Sequence, residues 1–209
     1  MKILTFNKNS AGQNIYLCWC ENTNEGVLID AGCSVQDENA IIKAVKDNNI
    51  VVKAILLTHG HFDHIIAVTK MKNLLGAMVY CHVSEKQVLE DPELNLSCYT
   101  ASKTAVTPDG LFNDSDIFQF GECAFKVLHT PGHTTGGVCY YNEKSASLFV
   151  GDTLFKRSVG RTDFPRGDHA KLVRNISAKL LPLPDETVAF PGHGDNTSIG
   201  IEKKSNPFL

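Results

Sequence analysis

The chain has 209 residues, with 20 Lys+Arg against 23 Asp+Glu for a formal charge of −3. A hydrophobic fraction of 43% and a charged fraction of 21% belong to a chain with a packed core and exclude disordered or fibrous classes. A chain of this size buries roughly 70% of its unfolded surface, so any metal is expected to serve function rather than hold a core together.

Near-neutral charge leaves no footprint for a phosphate backbone, and no nucleic-acid partner is expected. No apolar run reaches the roughly 18 residues of a membrane helix, and the first six residues turn polar before a signal-peptide core forms. Neither membrane nor export is therefore expected. The seven cysteines are odd in number and form no CxxC pair, which suits a reducing cytoplasm. Cys18 and Cys20 alternate onto one strand face and read as small buried hydrophobes.

In chain order, alternating or apolar runs predict strands over 2–6, 14–20 and 26–29. A helix over 37–48, a strand over 51–57 and a helix over 65–75 follow. Strands over 116–120, 123–128, 138–141 and 148–150 come next, then a helix over 168–180 and a strand over 187–190. Strand clusters early in each half, each followed by helices, predict an α/β fold of two sheets packed face to face with helices outside, in one domain spanning 1–209. Residues 91–115 show little periodicity and carry Pro92, Pro108 and Gly110. This stretch reads either as a functional cover, with Tyr99 and Phe112 as its apolar contacts, or as a tolerated insertion.

The predicted strand 51–57 runs into Thr58-His59-Gly60-His61-Phe62-Asp63-His64, four possible ligands within six residues. Extended residues at i and i+2 point the same way, so His59 and His61 can grip one cation while Asp63 and His64 open the next helix from another direction. Three further candidates stand at strand ends: His133 after Pro131-Gly132, Asp152 after Gly151, and His193 after Pro191-Gly192. Strand ends gather at one edge of a sheet. The seven partition into His59, His61 and His133 for one ion and Asp63, His64 and His193 for another, with Asp152 bridging. Imidazole with carboxylate suits zinc first, then iron or manganese, and the lack of thiolate argues against a zinc finger. His82 and His169 read as surface or packing residues, and His129 either supports the site or packs in the core.

These residues, with Asp30-Ala31-Gly32, Thr130-Pro131-Gly132-His133-Thr134, Gly151-Asp152-Thr153-Leu154-Phe155, Gly160-Arg161-Thr162-Asp163-Phe164 and Pro191-Gly192-His193-Gly194, resemble the metallo-β-lactamase superfamily, and most its short glyoxalase II-like members. The resemblance spans nearly the whole chain. It implies an αββα sandwich of two mixed sheets with a dinuclear centre at the sheet edge, and two divalent cations on the seven residues. It also implies that Asp30 orients a ligand from behind. Arg161 matches a basic residue that contacts glutathione in longer enzymes, while Asp163 stands where those have an aromatic residue. The helical domain that completes their glutathione site is expected to be missing, since the sequence runs only to residue 209.

Two close cations lower the pKa of a shared water and supply hydroxide at neutral pH, so hydrolysis is predicted, with Asp63 and Asp152 in the catalytic centre. A thioester of the S-lactoylglutathione type fits, because its thiolate leaves without a protein acid. The competing reading is a persulfide dioxygenase with one iron on His59, His133 and Asp152. Weaker ones are a lactonase, a β-lactamase, whose thiolate-ligand members are disfavoured because Asp152 stands where they have Cys, and a non-catalytic metal-binding module.

Overall fold

A computed structural model describes residues 1–209. The first sheet begins with β1 (Lys2–Phe6), β2 (Ile15–Trp19) and β3 (Glu25–Ile29), paired antiparallel. Helix α1 (Val35–Asp47) then crosses to β4 (Val51–Leu56), parallel to β3. The short α2 (Phe62–Ile65) and α3 (Val68–Leu75) lead to β5 (Met78–His82), and α4 (Lys86–Glu90) precedes the edge strand β6 (Gly110–Phe112). The second sheet starts with β7 (Ile117–Phe120), β8 (Cys123–His129), β9 (Val138–Asn142) and β10 (Ser147–Gly151), all antiparallel neighbours. A small ribbon of β11 (Leu154–Phe155) and β12 (Ser158–Val159) and helix α5 (His169–Asn175) connect to β13 (Val188–Pro191), which lies parallel to β10; β14 (Thr197–Ser198) and α6 (Ile199–Ser205) end the chain. The spatial orders are β1-β2-β3-β4-β5-β6 and β14-β13-β10-β9-β8-β7. No helix is long and apolar enough to cross a membrane.

The two-residue strand period builds the layers. Every residue of β2 is buried, because Ile15, Leu17 and Trp19 face α1 and α3 while Tyr16 and Cys18 face the other sheet. Phe125, Val127, Tyr140 and Phe149 answer them across the inter-sheet core. Leu148 and Val150 turn the opposite way, onto Leu172, Ile176 and Leu180. The result is the expected αββα sandwich of mixed sheets. Cys18 and Cys20 do share the inter-sheet core.

Several boundaries differ for local reasons. Helix α1 starts two residues before the predicted 37, because Ser34 accepts from the Asp37 amide while the Asp37 carboxylate accepts from the Ser34 amide. The predicted helix 65–75 breaks at Ala67, where φ −107° and ψ 4° leave the helical region and separate α2 from α3. The predicted helix 168–180 finishes in a wider π turn over Ile176–Leu180. The stretch 91–115 is no free cover. Phe112 lies in β6, stacked on Tyr80 at 5.3 Å in the inter-sheet core, and Tyr99 is 85% exposed. Asn95, fully buried, ties this segment inward: its side-chain amide donates to the Thr104 carbonyl, and its backbone carbonyl accepts from the Phe62 amide at 2.8 Å.

His82 and His129 close the two sheets at the ends of β5 and β8, their rings stacked 3.8 Å apart. Burial, then the neighbouring His129, pushes His82 down to about 4. A folded value below the unfolded one means that the unfolded chain takes up the extra proton, so this stabilisation is complete above about 6.5 and is lost as pH falls towards about 4. His82→Asn keeps an acceptor for the Ser84 amide but does not titrate. Its melting temperature is expected to fall less than the parent's between pH 7 and 4.5, by an amount equivalent to about 1–2 kcal/mol after discounting for solvent screening. Parallel melting curves across that range would remove His82 as the cause.

Candidate metal centre

All seven sequence candidates converge at the edge where β4, β8, β10 and β13 end. Three groups have donor atoms within 4.8 Å of one another: His59, His61 and His133; His59, His64 and Asp152; Asp63, His64 and His193. His61 Nδ1 lies 2.9 Å from His133 Nε2, and His193 Nε2 lies 3.1 Å from Asp63 Oδ2. Asp152 stands between the halves, Oδ1 at 3.4 Å from His64 Nε2 and Oδ2 at 3.7 and 3.9 Å from Nε2 of His133 and His193.

The convergence has backbone causes. Two buried tyrosines pin the strand ends that carry ligands: the Tyr140 hydroxyl donates to the Leu57 carbonyl at 2.7 Å, and the Tyr16 hydroxyl to the Pro191 carbonyl at 2.6 Å. Asn14 adds bonds from its side chain to the carbonyls of Pro191 and Gly194, on either side of His193. Gly192 lets the turn approach; a Cβ there would sit 2.2 Å from Asp152 Oδ1 and 2.7 Å from His64 Cε1. At Gly32 a Cβ would fall 1.6 Å from the Asp63 carbonyl oxygen, so only glycine lets the Asp30 turn pack under this loop.

Asp30 organises two of the histidines. Its Oδ2 lies 2.8 Å from His64 Nδ1 and accepts the Thr58 hydroxyl at 2.8 Å, while Oδ1 accepts the Thr58 amide. With that hydroxyl donating to Asp30, Thr58 Oγ1 is left to accept from His59 Nδ1, 3.1 Å away. The network thus assigns the protons of both rings to Nδ1 and leaves both Nε2 lone pairs facing the centre. Those two Nε2 atoms and Asp152 Oδ1 are buried without a hydrogen-bond partner. Buried acceptors are rarely left so, and three of them facing one another suit a cation. His133 is fixed in the same way, Nδ1 donating to the Arg161 carbonyl at 2.6 Å.

The electrostatics divide the centre. Burial, then the neighbouring imidazoles, keeps His59 well below its ordinary value, and burial with His133 takes His61 down to about 3. These rings stay neutral, the form that binds metal. Burial opposes charge on His64 too, but Asp30, Asp152 and Asp63 outweigh it and raise this ring, so without a cation a proton takes the Nε2 position that a cation would occupy. Burial likewise works against the Asp152 carboxylate, and His64 beside it overrides that and holds it below the usual range.

Other expectations fare differently. The Arg161 guanidinium is 4.0 Å above the Phe164 ring and is bound by both Asp163 oxygens, at 2.7 and 2.6 Å, so its charge is already matched. Phe164 in turn meets His61 edge-on, ring centroids 5.5 Å apart. His129 stacks on His82, the packing alternative of its two readings. Sequence reasoning missed Thr58 as a relay, Tyr16 and Tyr140 as anchors, and the buried Glu85. A groove of about 530 Å³ lined by Phe155, Lys156, Ser158, Gly194 and Asp195 opens beside His193.

Fold and site are those of a metal-dependent hydrolase class, and the sequence agrees: residues 11–193 match the family model of the metallo-beta-lactamase superfamily, so the chain belongs to that superfamily. It is similar to hydroxyacylglutathione hydrolase GloC of Haemophilus influenzae, 36% identical over 200 residues that cover 94% of this chain and 92% of the relative. The crystal structure of BLEG-1 B3 metallo-beta-lactamase superposes with a TM-score of 0.91 at 41% identity, covering 100% of this chain and 99% of that one. A di-iron-bound structure of TTHA1623 gives 0.84 at 34% identity, with 100% of both chains covered.

Proposed function

We propose that this protein hydrolyses small thioesters of the S-lactoylglutathione type, using two divalent cations, zinc foremost, with iron or manganese as the other candidates. The observation that carries the reading is the set of buried, unpartnered donor atoms of His59, His64 and Asp152 within the three converging ligand groups. In this reading His59, His61 and His133 hold one ion, Asp63, His64 and His193 the other, and Asp152 serves both. Bound cations would supply Lewis acidity and an activated water.

The chain's own residues do the rest. Asp30 and Thr58 hold His59 and His64 in one tautomer, and the Arg161 carbonyl does so for His133. Arg161, Phe164 and the groove beside His193 border the centre and form the surface offered to a small acyl-thiol. The likeness to GloC supports a glutathione thioester and the glyoxalase II-like subgroup. Asp163 neutralises Arg161, so affinity for an anionic substrate is expected to be weak. The seven free thiols suit a reducing compartment, the cytoplasm. A net charge of −3 gives nucleic acid no foothold, and a small molecule is the partner proposed.

A second reading, β-lactam hydrolysis, rests on the likeness to BLEG-1. One experiment separates the readings. Protein loaded in turn with zinc, iron or manganese is given S-lactoylglutathione with a chromogenic thiol reagent, a chromogenic cephalosporin, and glutathione persulfide under an oxygen electrode. Thiol release with at least one metal is expected. Cephalosporin turnover without thiol release would favour the lactamase reading, and oxygen uptake with iron alone the dioxygenase.

A further inference from the structure

The connection after β5 delivers one carboxylate into the protein beneath the ligand loops. Glu85 is fully buried and forms no direct ion pair, the Arg166 charge acting on it only from farther off. Its Oε1 accepts the Gly60 amide at 2.8 Å, between His59 and His61. Its Oε2 accepts the Gly136 amide at 2.6 Å and the Thr134 hydroxyl at 3.0 Å, in the loop that begins with His133. Both loops use glycine to come so near: a Cβ at Gly136 would lie 2.3 Å from the Glu85 amide nitrogen, and one at Gly60 would lie 3.3 Å from Glu85 Oε1. A third bond, from the Thr135 hydroxyl to the Ser84 carbonyl at 3.0 Å, fastens the same two segments.

The two loops come from different sheets, after β4 and after β8. The three histidines they carry lie together, whereas Asp63, His64 and His193 do not meet Glu85 and are held chiefly by Asp30 and Asn14, Asp30 reaching His59 as well through Thr58. A carboxylate offers acceptors only, and the three groups meeting it are donors, so no neutral side chain of this size satisfies all of them. We infer that Glu85 is a positioning residue that fixes the spacing of His59 and His61 against His133, and so sets cation affinity in the three-histidine half of the centre alone. This rests on the assignment of those histidines as ligands.

In Glu85→Gln the amide must turn its NH₂ towards Gly60 or towards Gly136 and Thr134, and one loop loses its acceptor. The test is zinc retention against a chromophoric chelator in two backgrounds, with the melting temperature of cation-free protein measured alongside. In His193→Ala, where the remaining zinc sits on the three histidines, Glu85→Gln is expected to weaken retention about 10–100-fold, the range for groups behind metal ligands. In His61→Ala, where the remaining zinc sits in the other half, it should change retention less than about threefold. Thr134→Val, which removes one of the three donors, should give a smaller loss in the first background only, and it decides the matter if Glu85→Gln does not fold. Equal losses in both backgrounds, or no loss in the first, would overturn the assignment. Because the readout is zinc retention, it stands even if no thioester is cleaved.

Discussion

Asp152→Ala is expected to lower kcat for thioester cleavage by on the order of 10³-fold, about 4 kcal/mol of barrier, and to reduce zinc content below that of any single-histidine variant. The reason is position: its two oxygens lie within 3.4 to 3.9 Å of Nε2 atoms belonging to His64, His133 and His193, so one carboxylate reaches both halves. His61→Ala touches one half and should cost about 10–100-fold. The fold should survive, because the Asp152 carboxylate faces only the other site residues and anchors no backbone amide. Kinetics and elemental analysis on matched preparations check the ranking; a loss for Asp152→Ala no larger than for His61→Ala would remove its bridging role.

Asp30→Asn should be nearly as damaging although Asp30 is proposed to touch no cation. The amide can keep one oxygen for the Thr58 amide, but its NH₂ then meets a hydroxyl and a ring N–H that both donate to the native carboxylate. His64 loses its orienting acceptor and His59 loses the end of its relay. Zinc affinity is expected to fall about 10–100-fold. Unpaired buried donors cost about 1–3 kcal/mol, which lowers the melting temperature of cation-free protein by several degrees. Backbone strain does not confound the comparison, because residue 30 has φ +56° and Asn accepts that region as readily as Asp. Chelator competition together with calorimetry measures both effects, and parent-like zinc affinity would refute the relay.

The sandwich was legible because both sheets are built on side-chain alternation and long apolar runs, which local sequence displays directly. The seven converging side chains were legible for a related reason: each stands just beyond an apolar run, and strand ends must meet at a sheet edge. Strands β5 and β6 escaped because β6 has three residues, too few to show a period, and its partner is chosen by a crossover. Glu85 was hidden for a different reason. Val88 and Leu89, three and four residues on, are buried, and a charged residue on such a stripe is a signal, but nothing local says which donors await it. The packing of Arg161 over Phe164, and the edge-on contact of Phe164 with His61, needed the fold.

The two tyrosine anchors run in opposite directions. Tyr16 belongs to the first sheet and grips Pro191 in the second; Tyr140 belongs to the second and grips Leu57 in the first. Any sliding of one layer over the other is thereby geared to the rim, where it would drive His59 and His193 out of register together. Each proposed cation would draw ligands from both layers, one from His59 and His61 with His133, the other from Asp63 and His64 with His193, so resistance to shear between the sheets and retention of the cations would become one mechanical property.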